Sequence, residues 1–341
     1  MAVTIHDVAR RARVSVSTVS RAFTMPELVR EATRTRVLAA ASELGYRPNR
    51  AARGLITGRT GNLGVIVPDL GNPFFPAVLK GAQVRAREAD YAVFLADTDE
   101  NPRLEADLIR AMAKQVDGVV LCSSRLASGE LAPLLGLTTL VLLNRRVPAV
   151  PAVVMDSADG MRQAVEQLAA LGHRRVAFLS GPRNSWSNRE RRRGLRAAAR
   201  AGGVEVAELG PFAPRFEAGL QAADIALAAG VTAVLAFNDL MALGVLSRLA
   251  DRGVAVPAEV SVVGFDDIPM AAMCAPPLTT VAMPMELSGR AAVELLLERL
   301  AEQAAGSTAN GRRQRVLSTQ LIVRSSTAPP VRRAAPRKEG S

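Results

Sequence analysis

The chain has 341 residues, 49% of them hydrophobic, enough for a sizeable core and for more than one domain. No run of about 18 apolar residues is free of charge, and the N-terminus MAVTIHDVARRA has no apolar signal core, which argues against a membrane span and for the cytoplasm. The net charge of +11 collects at the head, where residues 1–60 hold eleven Arg against four acidic groups, and it leaves a nearly neutral body, the pattern of a module that binds a polyanion.

Residues 4–46 predict three or four short helices. Ile5, Val8 and Ala9 share one helical face. The next stretch, RARVSVSTVSRAF, alternates valines as a half-buried strand would, yet Ser15 is a good helix N-cap. The helix reading turns Val14 and Val19 inward onto Val8 and Ala9. Its opposite face then offers Val16, Ser17, Ser20 and Arg21: a methyl for thymine, adaptable hydroxyls, and an Arg able to make a bidentate contact with guanine. A small bundle with idle exposed serines is the alternative, and the basic head favours nucleic acid. EATRTRVLAAASELGY gives a third helix with Val37, Leu38, Ala41 and Leu44 near one stripe and Gly45 placed to stop it. RPNRAARGLITGRT, residues 47–60, reads as a linker with one helical turn.

From residue 62 the rhythm changes to short apolar runs separated by helical stretches, and it restarts near residue 160. That pattern predicts two lobes, each a parallel sheet with helices on both faces, and a ligand cleft at the carboxyl ends of the strands. Strand ends supply the candidate cleft residues Asn72, Phe74 and Phe75, then Asn144 and Arg145, Asn238 and Asp239, Asp266 and Asp267; SWSNRERRRG adds Ser185, Trp186, Ser187 and Arg191. Trp186 reads equally as a stacking platform or an exposed loop residue, and Arg191 with Asp266 as ligand groups or as a plain interlobe salt bridge. RRQRVLSTQLIVR supplies a late strand, and residues 325–341 read as a disordered basic tail.

An enzyme finds little support. GxGxxG, P-loop and HExxH patterns are missing, FLSGP lacks the GxSxG elbow, and adjacent Asp266 and Asp267 should diverge. His173 reads as a surface or capping residue, and Cys122 and Cys274 as buried free thiols rather than metal ligands. No metal or cofactor is called for.

TIHDVARRARVSVSTVSRAF, TRTRVLAAASELGYRPNRAARGL and NLGVIVPDLGNPFF together resemble the lactose/galactose repressor (LacI/GalR) family of bacterial transcription regulators, from Thr4 to about Arg324. The resemblance implies a small all-α helix-turn-helix DNA-binding head (1–46), a hinge (47–60), and a two-lobed α/β body like periplasmic binding proteins (61–324). The lobes would be about 61–158 with a late return near 284–313, and about 159–283 with 314–324. It implies base contacts from Val16, Ser17 and Arg21, phosphate contacts from Thr4, Ser15, Thr18, Ser20 and Asn49, and a minor-groove wedge at Leu55, which otherwise packs the linker onto the body. Gly54 beside the wedge should lower helicity of the hinge off DNA. Effector positions would be Phe75, Asn144, Arg191, Asn238 and Asp266, with Asn72, Phe74, Arg145, Trp186, Ser187 and Met283 secondary. The function implied is a repressor binding palindromic double-stranded operator DNA as a homodimer, without a tetramerisation helix, under control of a small-molecule effector. A sugar or polyol suits the pocket best; a purine or nucleoside is the alternative. Three positions depart from the family pattern. Arg13 stands where the turn usually has glycine, and Pro214 where an aromatic is expected, with Phe212 and Phe216 flanking it. Met283 stands where glutamine is frequent, which suggests a less polar pocket.

Overall fold

The computed structural model describes residues 3–46, 59–306 and 313–331. The chain separates into two compact units, the N-terminal segment through Asn62 together with Gln115–Asp117, and the remainder.

In the N-terminal unit, α1 (Ile5–Ala12), α2 (Val16–Thr24) and α3 (Glu31–Leu44) enclose a core in which Val8, Val19 and Val37 are fully buried. Thr4 starts α1, its amide and hydroxyl both donating to the Asp7 carboxylate. Arg13 ends α1 in the left-handed region (φ 54°, ψ 50°), where its amide donates to the Arg10 carbonyl and the Val14 amide to that of Ala9. These two bonds form a Schellman ending, which glycine usually occupies because it has no Cβ to strain. Ser15 then caps α2, its Oγ accepting from the Thr18 amide at 3.1 Å. The strand reading of this stretch is therefore excluded. On α3 the buried stripe is Val37, Ala40 and Ala41 with Leu44 beside it, while Leu38 is 38% exposed. Spacing of three, four and seven selects Ala40 over Leu38 for that face.

The body alternates strands and helices. Its first lobe holds β1 (Asn62–Val67), α4 (Phe74–Glu88), β2 (Ala92–Asp97), α5 (Pro102–Met112), β3 (Gly118–Cys122), the short α6 (Ser128–Leu131), β4 (Thr139–Leu143) and β5 (Ala152–Met155). The chain then enters the second lobe with α7 (Ser157–Leu171), β6 (Arg175–Leu179), α8 (Trp186–Gly202), β7 (Glu205–Leu209) and α9 (Phe216–Ala228). β8 (Ala233–Ala236), α10 (Asp239–Asp251), β9 (Ser261–Asp266), α11 (Pro269–Met273) and β10 (Thr279–Ala282) complete its main run. Next come α12 (Met285–Ala304), β11 (Gln314–Leu317) and β12 (Gln320–Ile322).

The two six-stranded sheets have the orders β11-β5-β4-β3-β1-β2 and β12-β10-β9-β8-β6-β7, and β12 runs antiparallel to β10. Strands such as GVVLC and AVVM are buried along their whole length, as strands covered by helices on both faces must be. Helix α12 belongs to the first lobe and lies against α4 at close range. A Cβ on Gly81 would come within 1.8 Å of the Glu286 carbonyl oxygen, and one on Gly289 within 1.9 Å of that of Val78.

Two boundaries differ from the sequence reading. RVLSTQLIV is not one late strand of the second lobe: β11 pairs with β5 in the first sheet and β12 with β10 in the second. The switch falls at Ser318-Thr319, where the Thr319 hydroxyl donates to the Asp156 carbonyl at 3.0 Å. Residues 325–328 are also not a disordered tail. Ser326 is fully buried, its Oγ donating to the Val262 carbonyl and accepting from the Thr279 amide. The Ala328 carbonyl accepts from the His173 ring, which is fully buried rather than at the surface. A polar Ser-Ser-Thr run looks like solvent-exposed chain in sequence, but here the Ser326 hydroxyl satisfies backbone groups at the rim of the second sheet and that of Thr327 meets the Thr279 hydroxyl at 3.1 Å. Of the two free thiols, Cys122 is buried, with its pKa pushed up to about 12 by burial, while Cys274 is only partly so.

Candidate functional site

On the head, Ser17 and Arg21 are exposed on α2, whereas Val16 is half-buried against the small core. Ser15 Oγ bonds the Ser17 and Thr18 hydroxyls at 2.8 Å each, so the start of α2 carries a cluster of three linked hydroxyls. Thr18 and Ser20 are half-buried and Thr4 is exposed. Asn49, Leu55 and Gly54, with residues 47–58 of the 47–60 hinge, lie outside the described residues.

In the body, side chains from both lobes line one cavity at the carboxyl ends of the strands. The first lobe contributes Asn72, Phe74, Phe75, Glu100, Ser123, Arg125 and Asn144, and the second Ser185, Ser187, Arg191, Pro214, Phe237, Asn238 and Asp266. All five principal positions carried over from the family resemblance are thus brought together. Phe74 and Phe75 meet edge to face at the start of α4, their ring centroids 5.0 Å apart. The Asn72 Oδ1 holds that start by accepting from the Phe74 amide.

Arg191 is the best-held group in the wall. Its guanidinium lies 3.8 Å from the ring centre of Phe265 and 4.5 Å from that of Phe237. It donates to the Phe237 carbonyl and, at 3.2 Å, to the Asp266 carboxylate. Arg191 and Asp266 both belong to the second lobe, so the interlobe salt-bridge reading does not hold. Burial pushes the Asp266 carboxyl up to about 8, against the pull of Arg191. Asp239, buried behind it and accepting from the Thr280 hydroxyl and the Ile268 amide, is pushed up to about 6 for the same reason. Asp267 turns away to Arg324 at 2.7 Å, so the adjacent carboxylates diverge.

Opposite, Arg125 forms a two-pronged pair with Glu100 (2.5 and 2.8 Å). Neither aspect of this pair was found from sequence: Glu100 and Arg125 lie in loops after β2 and β3, and no motif marks them. A buried acid, Glu105, holds the Arg125 loop by accepting from the Ser124 hydroxyl and the Arg125 amide, and its carboxyl is raised by burial. Backbone strain marks the same ring. Glu100, Ser123, Asn144 and Asp266 all have positive φ, a conformation costly for these residues and common at functional sites.

Two buried polar atoms of this wall have no partner, Asn144 Oδ1 and Arg191 Nε. Asn238 is committed, with Oδ1 accepting from the Met241 amide and Nδ2 donating to the Pro214 carbonyl. The free space between these side chains is about 30 Å³, little more than a water needs.

Three secondary candidates stand elsewhere. Arg145 turns into the wall to bond the Ser124 carbonyl and hydroxyl. Trp186 opens α8 with the Arg146 guanidinium 5.9 Å above its ring. Met283 packs in the core, its amide on the Asp266 carbonyl, and so does not set the polarity of the cavity. Asn72, Phe74 and Ser187 do line it.

A capped helix-turn-helix head on a two-lobed α/β body with a polar interlobe cavity defines the class of ligand-responsive DNA-binding regulators. The family model for periplasmic binding protein-like domains matches residues 165–327, and that for bacterial regulatory proteins of the lacI family matches residues 4–49. The HTH-type transcriptional repressor CytR of Escherichia coli (strain K12) is 36% identical over 336 residues, 96% of each chain. A lac repressor dimer bound to operator and the anti-inducer ONPF superposes with a TM-score of 0.83 at 28% identity, covering 96% of this chain and all of that one. A complex of the transcriptional regulator CelR with cellobiose gives 0.69 at 33% identity over 95% of this chain and all of that one. The chain belongs to the LacI family and is a sequence-specific DNA-binding transcriptional regulator. No helix among the described residues is long and apolar enough to cross a membrane.

Proposed function

We propose that this protein is a repressor that binds a palindromic operator as a homodimer and is controlled by a polyhydroxylated effector held in the interlobe cavity. The observation that carries the effector is the pair of buried polar groups without partners, the Asn144 acceptor and the Arg191 Nε–H donor, on facing lobes of a cavity with an aromatic floor. Buried polar atoms are nearly always satisfied, so an unmatched donor and acceptor in one cavity suit a hydroxyl-bearing ring that supplies both complements. Phe75, Asn144, Arg191 and Asp266 contact that ring, and Asn238 acts by holding Pro214 in the wall. The cellobiose bound by CelR supports the sugar reading.

On the head, Val16, Ser17 and Arg21 read bases, while Thr4, Ser15, Thr18 and Ser20, with Asn49, set register on phosphates. Leu55 acts as the minor-groove wedge. A single head reads few base pairs, so two copies are needed. Half-exposed Val84, Phe94, Leu95 and Leu104 surround edge strand β2 and support a second copy there. The test is thermal stabilisation of the full chain against sugars, polyols, nucleosides and purines, paired with operator titration. The expected result is a polyhydroxylated compound that stabilises the wild type but not Arg191→Lys; stabilisation that survives this change overturns the assignment. A stable tetramer in sedimentation would contradict the dimer.

A further inference from the structure

The exposed face of α2 does not stop where the helix stops. Ser17, Arg21, Met25 and Leu28 are four, four and three residues apart, the spacing that keeps side chains on one side of a helix. Hydrogen-bonded turns carry the chain through this stretch. The Met25 amide donates to the Arg21 carbonyl at 2.8 Å, and the Leu28 amide to that of Met25 at 3.0 Å, closing the 3₁₀ turn Pro26–Leu28. The opposite side is turned inward, with Val19 and Ala22 buried and Phe23 and Val29 packed against the small core. Leu28 is left 67% exposed and Met25 39%. We propose that Leu28, flanked by Met25, is a further base-reading residue that makes apolar contact with the C5-methyl group of a thymine in the operator half-site. The inference rests on α2 being the helix that faces the groove, and it extends that reading beyond Arg21.

Position, charge and chemistry favour a thymine methyl over other partners. Val16, at the start of the face, is half-buried against the core, so the larger exposed apolar surface lies at the far end, on Met25 and Leu28. Residues 25–31 hold Glu27 and Glu31 against Arg30 alone. That balance does not suit a phosphate, whereas a methyl group is indifferent to it. The polar end of the face carries the exposed Ser17 and Arg21, which match donors and acceptors on base edges. A leucine offers no such match, and among the groups displayed in the major groove only the thymine methyl is its complement. Because that methyl marks one base, an apolar side chain on it reads sequence and adds no general grip. The Val29 contact with the core holds the turn in place, so Leu28 is presented by a fixed backbone.

The test uses the full-length protein and a palindromic duplex recovered with it by in vitro selection. Thymines of the half-site are replaced by deoxyuridine, one position at a time and in both half-sites together. Deoxyuridine pairs identically and lacks only the methyl. At one position, other than the base pair where Arg21→Ala loses its preference, the wild type should lose roughly fourfold in affinity per methyl, or about fifteenfold for the two half-sites. Leu28→Ala and Leu28→Gln should bind the thymine and uracil duplexes equally. Each variant is compared with itself on two duplexes, so any change in head stability cancels. A uracil penalty that survives both substitutions overturns the proposal, and a uniform loss of affinity in the variants then marks a contact to phosphate or to a second copy of the chain. A wild type indifferent to uracil at every position overturns it as well. Arg21→Ala separates this result from the reading of α2 itself. If that variant keeps full affinity and base preference, α2 is not the reading helix and both assignments fall; if it loses its preference while no uracil matters, only the Leu28 assignment falls.

Discussion

Replacing Arg13 by glycine should stabilise the head. Arg13 holds φ 54° and ψ 50° with its side chain exposed, and its contribution to the turn is made through two backbone bonds, Arg13 to Arg10 and Val14 to Ala9. Glycine keeps both bonds. It relieves a left-handed cost of roughly 1–2 kcal/mol for a residue with a Cβ. Against this, the added freedom of the unfolded chain subtracts about 0.4–1 kcal/mol. The net gain is about 0.5–1 kcal/mol, or roughly two- to fivefold in the opening equilibrium at 1.4 kcal/mol per decade. Native-state hydrogen exchange reads this directly at Val14 and Val19, whose amides are bonded to Ala9 and Ser15. Both should slow by about that factor in Arg13→Gly, while a β-branched Arg13→Val should speed them. Equal or faster exchange in the glycine variant would show that the turn stores no strain, and the reasoning from φ would fail.

Ser15→Ala removes the acceptor for the Thr18 amide and should cost the head about 1 kcal/mol, with operator affinity falling in parallel in a binding titration. Gly289→Ala drives a methyl against the Val78 carbonyl and should destabilise the body by about 3 kcal/mol, read as a fall in the thermal midpoint. The pH dependence has a defined sign. Asp239 and Asp266 have folded pKa values raised to about 6 and about 8, so the native state binds more protons than the unfolded chain above about pH 4, and their contribution to stability is lost as pH rises through those values. His173, lowered by burial, works in the opposite sense but is spent once the unfolded imidazole has lost its proton near pH 6.5. The thermal midpoint should therefore decline between pH 6.5 and 9, and Asp266→Asn should flatten the decline; a rising midpoint in that range would be inconsistent with a buried, raised carboxyl.

Much of the architecture was legible because its signals are local. The Ser15 cap, the Gly45 stop and the buried β1, β3 and β4 runs each follow from a few adjacent residues. The five principal cavity positions were placed by resemblance; four of them lie at strand ends or helix starts where topology converges, and Arg191 projects from the second turn of α8. What sequence did not reveal depends on long-range partners. Glu100 and Arg125 meet across 25 positions, and Glu105 is buried only because Ser124 and the Arg125 amide come to it. Met283 was misread because an apolar side chain beside a pocket residue can face either the pocket or the core. Ser326 was assigned to a tail because its partners, Val262 and Thr279, are about 50 or more residues away.

The switch at Ser318-Thr319 has a consequence for how the protein is made. Each lobe is written in two instalments: the first sheet lacks its last strand until residues 314–317 exist, and the second until residues 320–322 exist. Because domains emerge from the ribosome N-terminus first, the head can be finished early while both lobes wait, incomplete, for nearly the same moment of synthesis. A DNA-reading module able to act before its sensor is assembled would repress without control. The interleaving makes the two halves of the sensor complete within a few residues of each other, and a premature stop before residue 314 leaves both sheets without their last strand.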